Sequence, residues 1–132
     1  MMLLLDANIL MYMAGRDHPH KAPCVALLRQ VALGEVPAAI DTEALQEILH
    51  RYGAIGRRSE GLALYDMVRA VVPVIVPVTA EVMDETRRLL AEVPRASARD
   101  AVHAAVARLH NYPICSYDRD MEQFSGVVRV EP

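Results

Sequence analysis

Short apolar segments alternate with helix-like segments along the chain, and this alternation restricts the fold more than any other feature. Each apolar run is short enough to be one buried strand. The candidate strands are Leu3–Leu5, Pro37–Ile40, Val72–Val78, Ile114–Tyr117 and Val127–Val130. Strands separated by helices build a mostly parallel sheet that is flanked by helices. We therefore expect one α/β domain over residues 1–132, without repeats or linkers.

Helical spacing or a capping residue marks the segments between these strands. A helix is predicted through Ile9–Met13, and residues 15–23 are predicted to form a turn. The remaining predicted helices are Cys24–Leu33, one capped by Asp41 or Thr42, one after Ser59 with Leu62 and Val68 among its core positions, Thr79–Val93 and Ser97–His110. Prolines 73 and 77 place the Val72–Val78 strand at a sheet edge, because proline cannot donate to a ladder.

Composition limits the protein class without identifying a function. The net charge of -3 gives no sign of nucleic-acid binding by bulk charge. No apolar run approaches the ~18 residues of a membrane span. Cys24 and Cys115 are widely separated, which is compatible with a reducing cytoplasm. We expect a cytoplasmic protein.

Acidic residues stand where predicted strands end. Asp6 follows the first strand, and Asp118 follows the Ile114–Tyr117 strand with Asp120 two residues later. In open α/β sheets, ligands bind outside the carboxyl ends of the strands. Asp100 lies in the first turn of its helix. Glu47 lies about 200° around its helix from the apolar Leu45, at ~100° per residue, and is expected to face solvent or a cleft.

Clustered carboxylates suit a divalent cation. Mg²⁺ prefers oxygen ligands, and two such ions roughly 4 Å apart can activate a water and stabilise the leaving oxygen of a phosphodiester. Each residue alone also has a structural interpretation: Asp6 as a helix cap, Asp100 as part of a capping box after Ser97, and Asp118 as a turn residue. Glu47 could equally form surface pairs one helical turn apart.

Taken together, the segments resemble the PIN-domain nucleases, and within them the VapC-type toxins of toxin–antitoxin pairs. The resemblance covers nearly the whole chain. Four segments carry it: residues 3–10 with Asp6, 41–49 with Glu47, 98–107 with Asp100, and 114–121 with the pair Asp118 and Asp120. One departure is Met121, which stands where the family often has Phe.

The resemblance implies a metal-dependent endoribonuclease with a homodimeric assembly and a cognate antitoxin that blocks its site. It implies that Asp6 and Asp100 bind Mg²⁺ or Mn²⁺, with Glu47 and Asp118 completing the catalytic and metal-binding quartet. The possible helpers are Asp120, Asn8 and Arg99. Neither the RNA sequence that is cut nor the number of metal ions follows from the sequence.

Several alternatives remain at this point. Glu43 lies one turn before Glu47 on the same helix face and competes for the acidic position. His103 is three residues after Asp100, and we expect it to be packed near the site rather than to bind metal. Histidines 18 and 20 are expected in a solvated loop near the first strand. The alternative function is a catalytically weak module of the same fold that binds RNA or protein.

Overall fold

A five-stranded parallel sheet forms the centre of the protein, which is described here over residues 1–132 from a computed structural model. Its strands are β1 (Leu3–Leu5), β2 (Ala38–Asp41), β3 (Val74–Val76), β4 (Ile114–Cys115) and β5 (Arg129–Val130). They lie in the order β3-β2-β1-β4-β5, and all four neighbouring pairs are parallel. The expected parallel α/β sheet is confirmed, with β3 at an edge.

Six α-helices and one short 3₁₀ helix connect these strands. The α-helices are α1 (Ala7–Ala14), α2 (Lys21–Ala32), α3 (Thr42–Ala54), α4 (Arg58–Val71), α5 (Ala80–Glu92) and α6 (Ala98–His110), and the 3₁₀ helix spans Arg119–Gln123. None of the helices is both long and apolar enough to cross a membrane.

The pleat of the strands divides the apolar core into two layers. Successive side chains of a strand point to opposite faces of the sheet. Leu5, Ile40 and Cys115 therefore pack with α1–α4 on one face. Leu4 and Ile114 pack with α5 and α6 on the other. The strands of a sheet covered on both faces are near-continuous apolar runs, and β1, β3 and β4 are short and wholly apolar.

The connections between strands create a switch point between β1 and β4. From β1 the chain moves outward on one side to β2 and β3, and it then returns through α5 and α6 to β4 on the other side. A crevice opens where adjacent strands lead their connections away in opposite directions. The residues that follow β1 and β4 therefore face a common opening.

Two expectations about helices were wrong in detail. The predicted turn over residues 15–23 is shorter, because α2 already begins at Lys21. Pro23 lies in the first turn of this helix, where a missing backbone N–H costs no hydrogen bond. In α4, Val68 is buried as expected, but Leu62 is 51% exposed, and Gly61 and Leu64 are buried instead of it. The helix is rotated because Gly61 lies directly against Tyr52, where an added Cβ would come within 2.5 Å of the tyrosine Cβ.

Candidate active site

A cleft of about 460 Å³ opens at the carboxyl ends of β1 and β4. Its lining includes all four carboxylates expected from the sequence, together with two of the three expected helpers: Asp6, Glu47, Asp100, Asp118, Asn8 and Arg99. Asp120 is exposed on the adjacent 3₁₀ helix and does not line the cleft. The structure thus brings together side chains from four distant segments.

Asp6 is held at the floor of the cleft by Ser116. Asp6 occupies the N-cap position of α1, as the structural interpretation of this residue expected, but its side chain makes no capping hydrogen bond there. Ser116 Oγ instead donates to Asp6 Oδ2 at 2.6 Å. Ser116 Oγ also accepts hydrogen bonds from Asn8 Nδ2 at 3.2 Å and from the Asp118 backbone N–H at 2.9 Å. One donor and two acceptor positions of the serine are all used.

This serine also fixes the orientation of Asn8. Because the hydroxyl proton goes to a carboxylate and Asp118 supplies an N–H, the remaining contact must come from the amide nitrogen of Asn8. Asn8 Oδ1 is consequently directed away from Ser116, and it is buried without a hydrogen-bond partner. A buried polar atom without a partner is uncommon in folded proteins, and this one is an oxygen in a residue that lines the cleft.

Glu47 is tied to a buried histidine. His103 Nε2 lies 2.6 Å from Glu47 Oε1, and His103 Nδ1 lies 2.6 Å from Asp41 Oδ2. Asp41 also caps α3 by accepting from Ala44 N at 2.8 Å. Since both ring nitrogens face carboxylate oxygens, both must carry protons, and the imidazole has no lone pair left for a metal.

Glu43 is placed differently from Glu47. Its carboxylate is 4.0 Å from Arg99 Nε, and it does not line the cleft. Glu47 lines the cleft and lies 3.7 Å from the same Arg99 nitrogen. The geometry therefore favours Glu47 at the acidic position.

Asp100 and Asp118 approach the cleft from its more open side. Ser97 caps α6 by accepting from the Asp100 backbone N–H at 3.1 Å, as expected, and its hydroxyl also lowers the pKa of the Asp100 carboxylate. Asp118 caps the 3₁₀ helix by accepting from Asp120 N at 2.9 Å. Ligand oxygens of Asp100, Asp118 and Asp120 all lie within 4.8 Å of one another.

The electrostatics of the cleft favour a bound cation. Burial raises the pKa of Asp6, although His103 and Ser116 oppose the shift. Burial also raises the pKa of Asp100, and the nearby carboxylates of Asp118 and Asp6 add to it. Burial works against a charged His103, but Asp41 and Glu47 raise the pKa of that imidazole well above its ordinary value.

The donor set fits a hard divalent ion. Mg²⁺ and Mn²⁺ bind carboxylate and carbonyl oxygens, and the cleft offers several carboxylates as well as the unpartnered Asn8 Oδ1. Neither cysteine lies among the residues that line it, so a thiolate site is not formed here. Repulsion between the carboxylates falls when a cation binds.

The sequence matches the PIN domain family over residues 3–127. The chain belongs to the PIN domain family. It is also 37% identical over 130 residues to the VapC ribonuclease Mb1869c of Mycobacterium bovis, which covers 98% of this chain and 99% of that relative.

Solved structures share the same PIN fold at low sequence identity. VapBC2 from Rickettsia felis, bound to a DNA fragment from its promoter, has a TM-score of 0.81 at 16% identity and covers 99% of this chain and 98% of that one. A toxin–antitoxin complex from Klebsiella pneumoniae has a TM-score of 0.66 at 21% identity, covering 96% and 95%. The likeness extends across the whole PIN domain.

Sequence reasoning missed two supporting residues of this PIN domain. Ser116 was not identified, although a hydroxyl residue directly after β4 and two residues before Asp118 was a usable signal. Asp41 was expected only as a helix cap, and its contact with His103 joins residues 62 positions apart. His103 is buried beside the site, where its ring nitrogens contact Asp41 and Glu47.

Proposed function

We propose that this protein is a metal-dependent endoribonuclease and the toxin of a type II toxin–antitoxin system. The observation that carries the proposal is the convergence of Asp6, Glu47, Asp100 and Asp118 in one cleft. Family membership and the identity to a VapC ribonuclease support RNA as the substrate.

Asp6 and Asp100 are the proposed principal ligands of Mg²⁺, for which Mn²⁺ can substitute. Asp118 and Glu47 complete the set. The bound cation supplies Lewis-acid stabilisation of charge that develops on the phosphodiester. Ser116 fixes the rotamer of Asp6, so that this carboxylate need not reorganise when the substrate binds.

Glu47 is proposed to orient the attacking water. One of its oxygens is held by His103, and the other has no hydrogen bond within the protein. A carboxylate fixed in this way can accept a hydrogen bond from a water and align it with the phosphorus. Arg99 neutralises part of the negative charge at the rim, and Asp120 is proposed as a peripheral helper.

The proposed partners follow from the same family. A solved structure with this fold is a toxin–antitoxin complex, and we expect a cognate antitoxin to cover the cleft. A homodimer is also proposed. Leu49 on α3, Ile55 at the C-cap of α3 and Leu62 on α4 provide exposed apolar side chains for an interface. We propose that the protein acts in the cytoplasm, where its RNA substrate lies.

The direct test is RNA cleavage by the purified protein in Mg²⁺ or Mn²⁺, followed on gels by mapping of the new ends. Asp6→Asn and Asp100→Asn should each reduce the rate by at least about a hundredfold, as expected for loss of a catalytic group. Excess EDTA should stop the reaction. Asp66→Asn, which removes an exposed carboxylate on α4, is the matched control and should retain full activity.

Full activity in both cleft variants, or cleavage unchanged by EDTA, would contradict the proposal. Retained RNA binding with no cleavage by the unaltered chain would instead favour the catalytically weak binding module.

A further inference from the structure

A second groove runs on from the acidic cleft along α1. It has a volume of about 400 Å³ and shares Asn8, Met11 and Arg51 with the lining of the cleft. Its far end is formed by Tyr12 and His18 among others. Because the two cavities share these lining residues, a ligand at the carboxylates could extend into this groove.

Aromatic rings form the far end of the groove. The ring centroids of Tyr12 and His18 lie 4.7 Å apart with an interplanar angle of 37°. Tyr12 is supported from behind by Tyr117, whose ring meets it edge-on at 5.6 Å, and Tyr117 is itself stacked on His20 at 3.6 Å. This packing restrains the rings before any ligand arrives.

His18 has a defined orientation although it is exposed. Its Nδ1 accepts a hydrogen bond from the His20 backbone N–H at 3.0 Å. The neutral ring therefore carries its proton on Nε2, which is left as a donor at the edge of the groove. The histidine can offer both a ring face and a hydrogen bond to a ligand.

Two arginines give this groove a charge opposite to that of the cleft. Arg16 and Arg51 both line it, and neither forms an ion pair within the protein. Arg99, at the rim of the cleft, is by contrast within 4.0 Å of two glutamates. Guanidinium groups that lack a carboxylate partner are available to bind phosphate oxygens in a forked geometry.

We propose that this groove is a nucleotide-binding subsite for single-stranded RNA. It would hold the nucleotide next to the phosphodiester at the carboxylates, with its base against Tyr12 and His18 and its phosphate between Arg16 and Arg51. Aromatic faces beside cationic side chains bind single-stranded nucleic acid with little sequence preference, because every base has a π-face. The inference rests on the proposed function, since it takes RNA as the substrate.

The test compares two fluorescent probes by anisotropy, with Ca²⁺ replacing Mg²⁺ and probe integrity checked on gels. One is a ten-residue oligoadenylate, and the other is an abasic ribose-phosphate oligomer of the same length and charge. The protein should bind the oligoadenylate about tenfold more tightly, as expected for one stacked base. His18→Ala and Tyr12→Leu should lower this preference to about twofold or less, whereas Tyr12→Phe should keep it.

The arginine contribution should behave differently from the aromatic one. The double variant Arg16→Gln/Arg51→Gln should weaken both probes alike and reduce the salt slope by about 1.4, or 0.7 for each lost phosphate contact. Arg87→Gln is the matched control, because this exposed arginine on α5 lines neither groove. It should leave both affinities unchanged.

An unchanged probe preference in His18→Ala and Tyr12→Leu would overturn the subsite, as would equal binding of both probes by the unaltered protein. Weakening by Arg87→Gln as large as that of the double variant would also overturn it. The assay requires no cleavage, so its outcome is separate from the proposed function. RNA cleavage without a base preference would contradict only the proposed subsite. A base preference without any RNA cleavage would contradict only the proposed nuclease activity.

Discussion

The two sides of the cleft hold their carboxylates in different ways. On the inner side, Asp6 and Glu47 are nearly buried, and each accepts a hydrogen bond of 2.6 Å, from Ser116 and His103 respectively. On the outer side, Asp100 and Asp118 are half-buried, and neither accepts a hydrogen bond as short as these, although the Ser97 hydroxyl lowers the pKa of Asp100. The inner side is organised by short hydrogen bonds, whereas on the outer side the neighbouring carboxylates still repel one another and raise the pKa of Asp100.

This difference indicates how the cleft could combine precision with cation binding. Hydrogen bonds preorganise a carboxylate but weaken it as a ligand, because they engage some of its lone pairs. Unpaired carboxylates bind a cation more readily, but they cost stability while it is absent. One side would thus fix the position of the ion and the water, and the other would supply most of the attraction for the ion.

The largest expected effect comes from breaking the inner side. His103→Ala leaves the carboxylates of Asp41 and Glu47 in a buried region without their shared cation. Removing one partner of a buried ion pair typically costs about 3–5 kcal/mol. Urea denaturation should show a loss of that size. His50→Ala, an exposed histidine on α3 that lines the same cleft, is the control and should change stability by less than about 1 kcal/mol.

If His103→Ala lowered the free energy of unfolding no more than His50→Ala does, the contacts of His103 with Asp41 and Glu47 would not stabilise the folded protein. The contrast drawn between the two sides of the cleft would then be lost.

A smaller effect is expected from pH on the metal-free protein. Burial raises the pKa of Asp6 and Asp100 in the folded chain, so the folded state holds these protons to a higher pH than the unfolded state does. Their ionisation therefore destabilises the fold as pH rises from about 4, the ordinary range of an aspartate, through their raised pKa values. Thermal denaturation in EDTA should show an unfolding midpoint that falls across this range.

Asp100→Asn should reduce this slope, and saturating Mg²⁺ should reverse it at the upper end of the range. The share of Asp100 is reduced by solvent screening because the residue is half-exposed. A metal-free stability that rose with pH over the same range would show that these carboxylates are not strained by burial.

The sequence predicted which elements carry the site better than it predicted which side chains of those elements contact one another. Asp6 and Asp118 were identifiable because each follows an apolar run short enough to be a buried strand, and parallel strands end at one edge. The choice between Glu43 and Glu47 required the packing of α3 against α6, since both glutamates lie on the same face of one helix. His103 resolves that choice by contacting Glu47 across 56 positions of sequence.

Helix rotation was the other feature that the sequence did not reveal. In α4, Leu62 and Leu64 are the same residue type, and the close approach of Gly61 to Tyr52 goes with burial of Leu64 rather than Leu62. The groove beside the cleft could not be predicted from the sequence either. Tyr12 and Tyr117 are separated by most of the chain, and their edge-on contact depends on the adjacency of β1 and β4.

The central claim is that carboxylates from both sides of the cleft form one cation-binding site. Titration calorimetry with Mn²⁺ tests this claim most directly. We expect Asp6→Asn and Asp100→Asn each to weaken Mn²⁺ binding by at least about tenfold, the lower end of what loss of a metal-site interaction costs. Asp66→Asn, which alters an exposed carboxylate on α4 outside the cleft, should leave the affinity within about twofold. Wild-type Mn²⁺ affinity in either Asp6→Asn or Asp100→Asn would contradict the account.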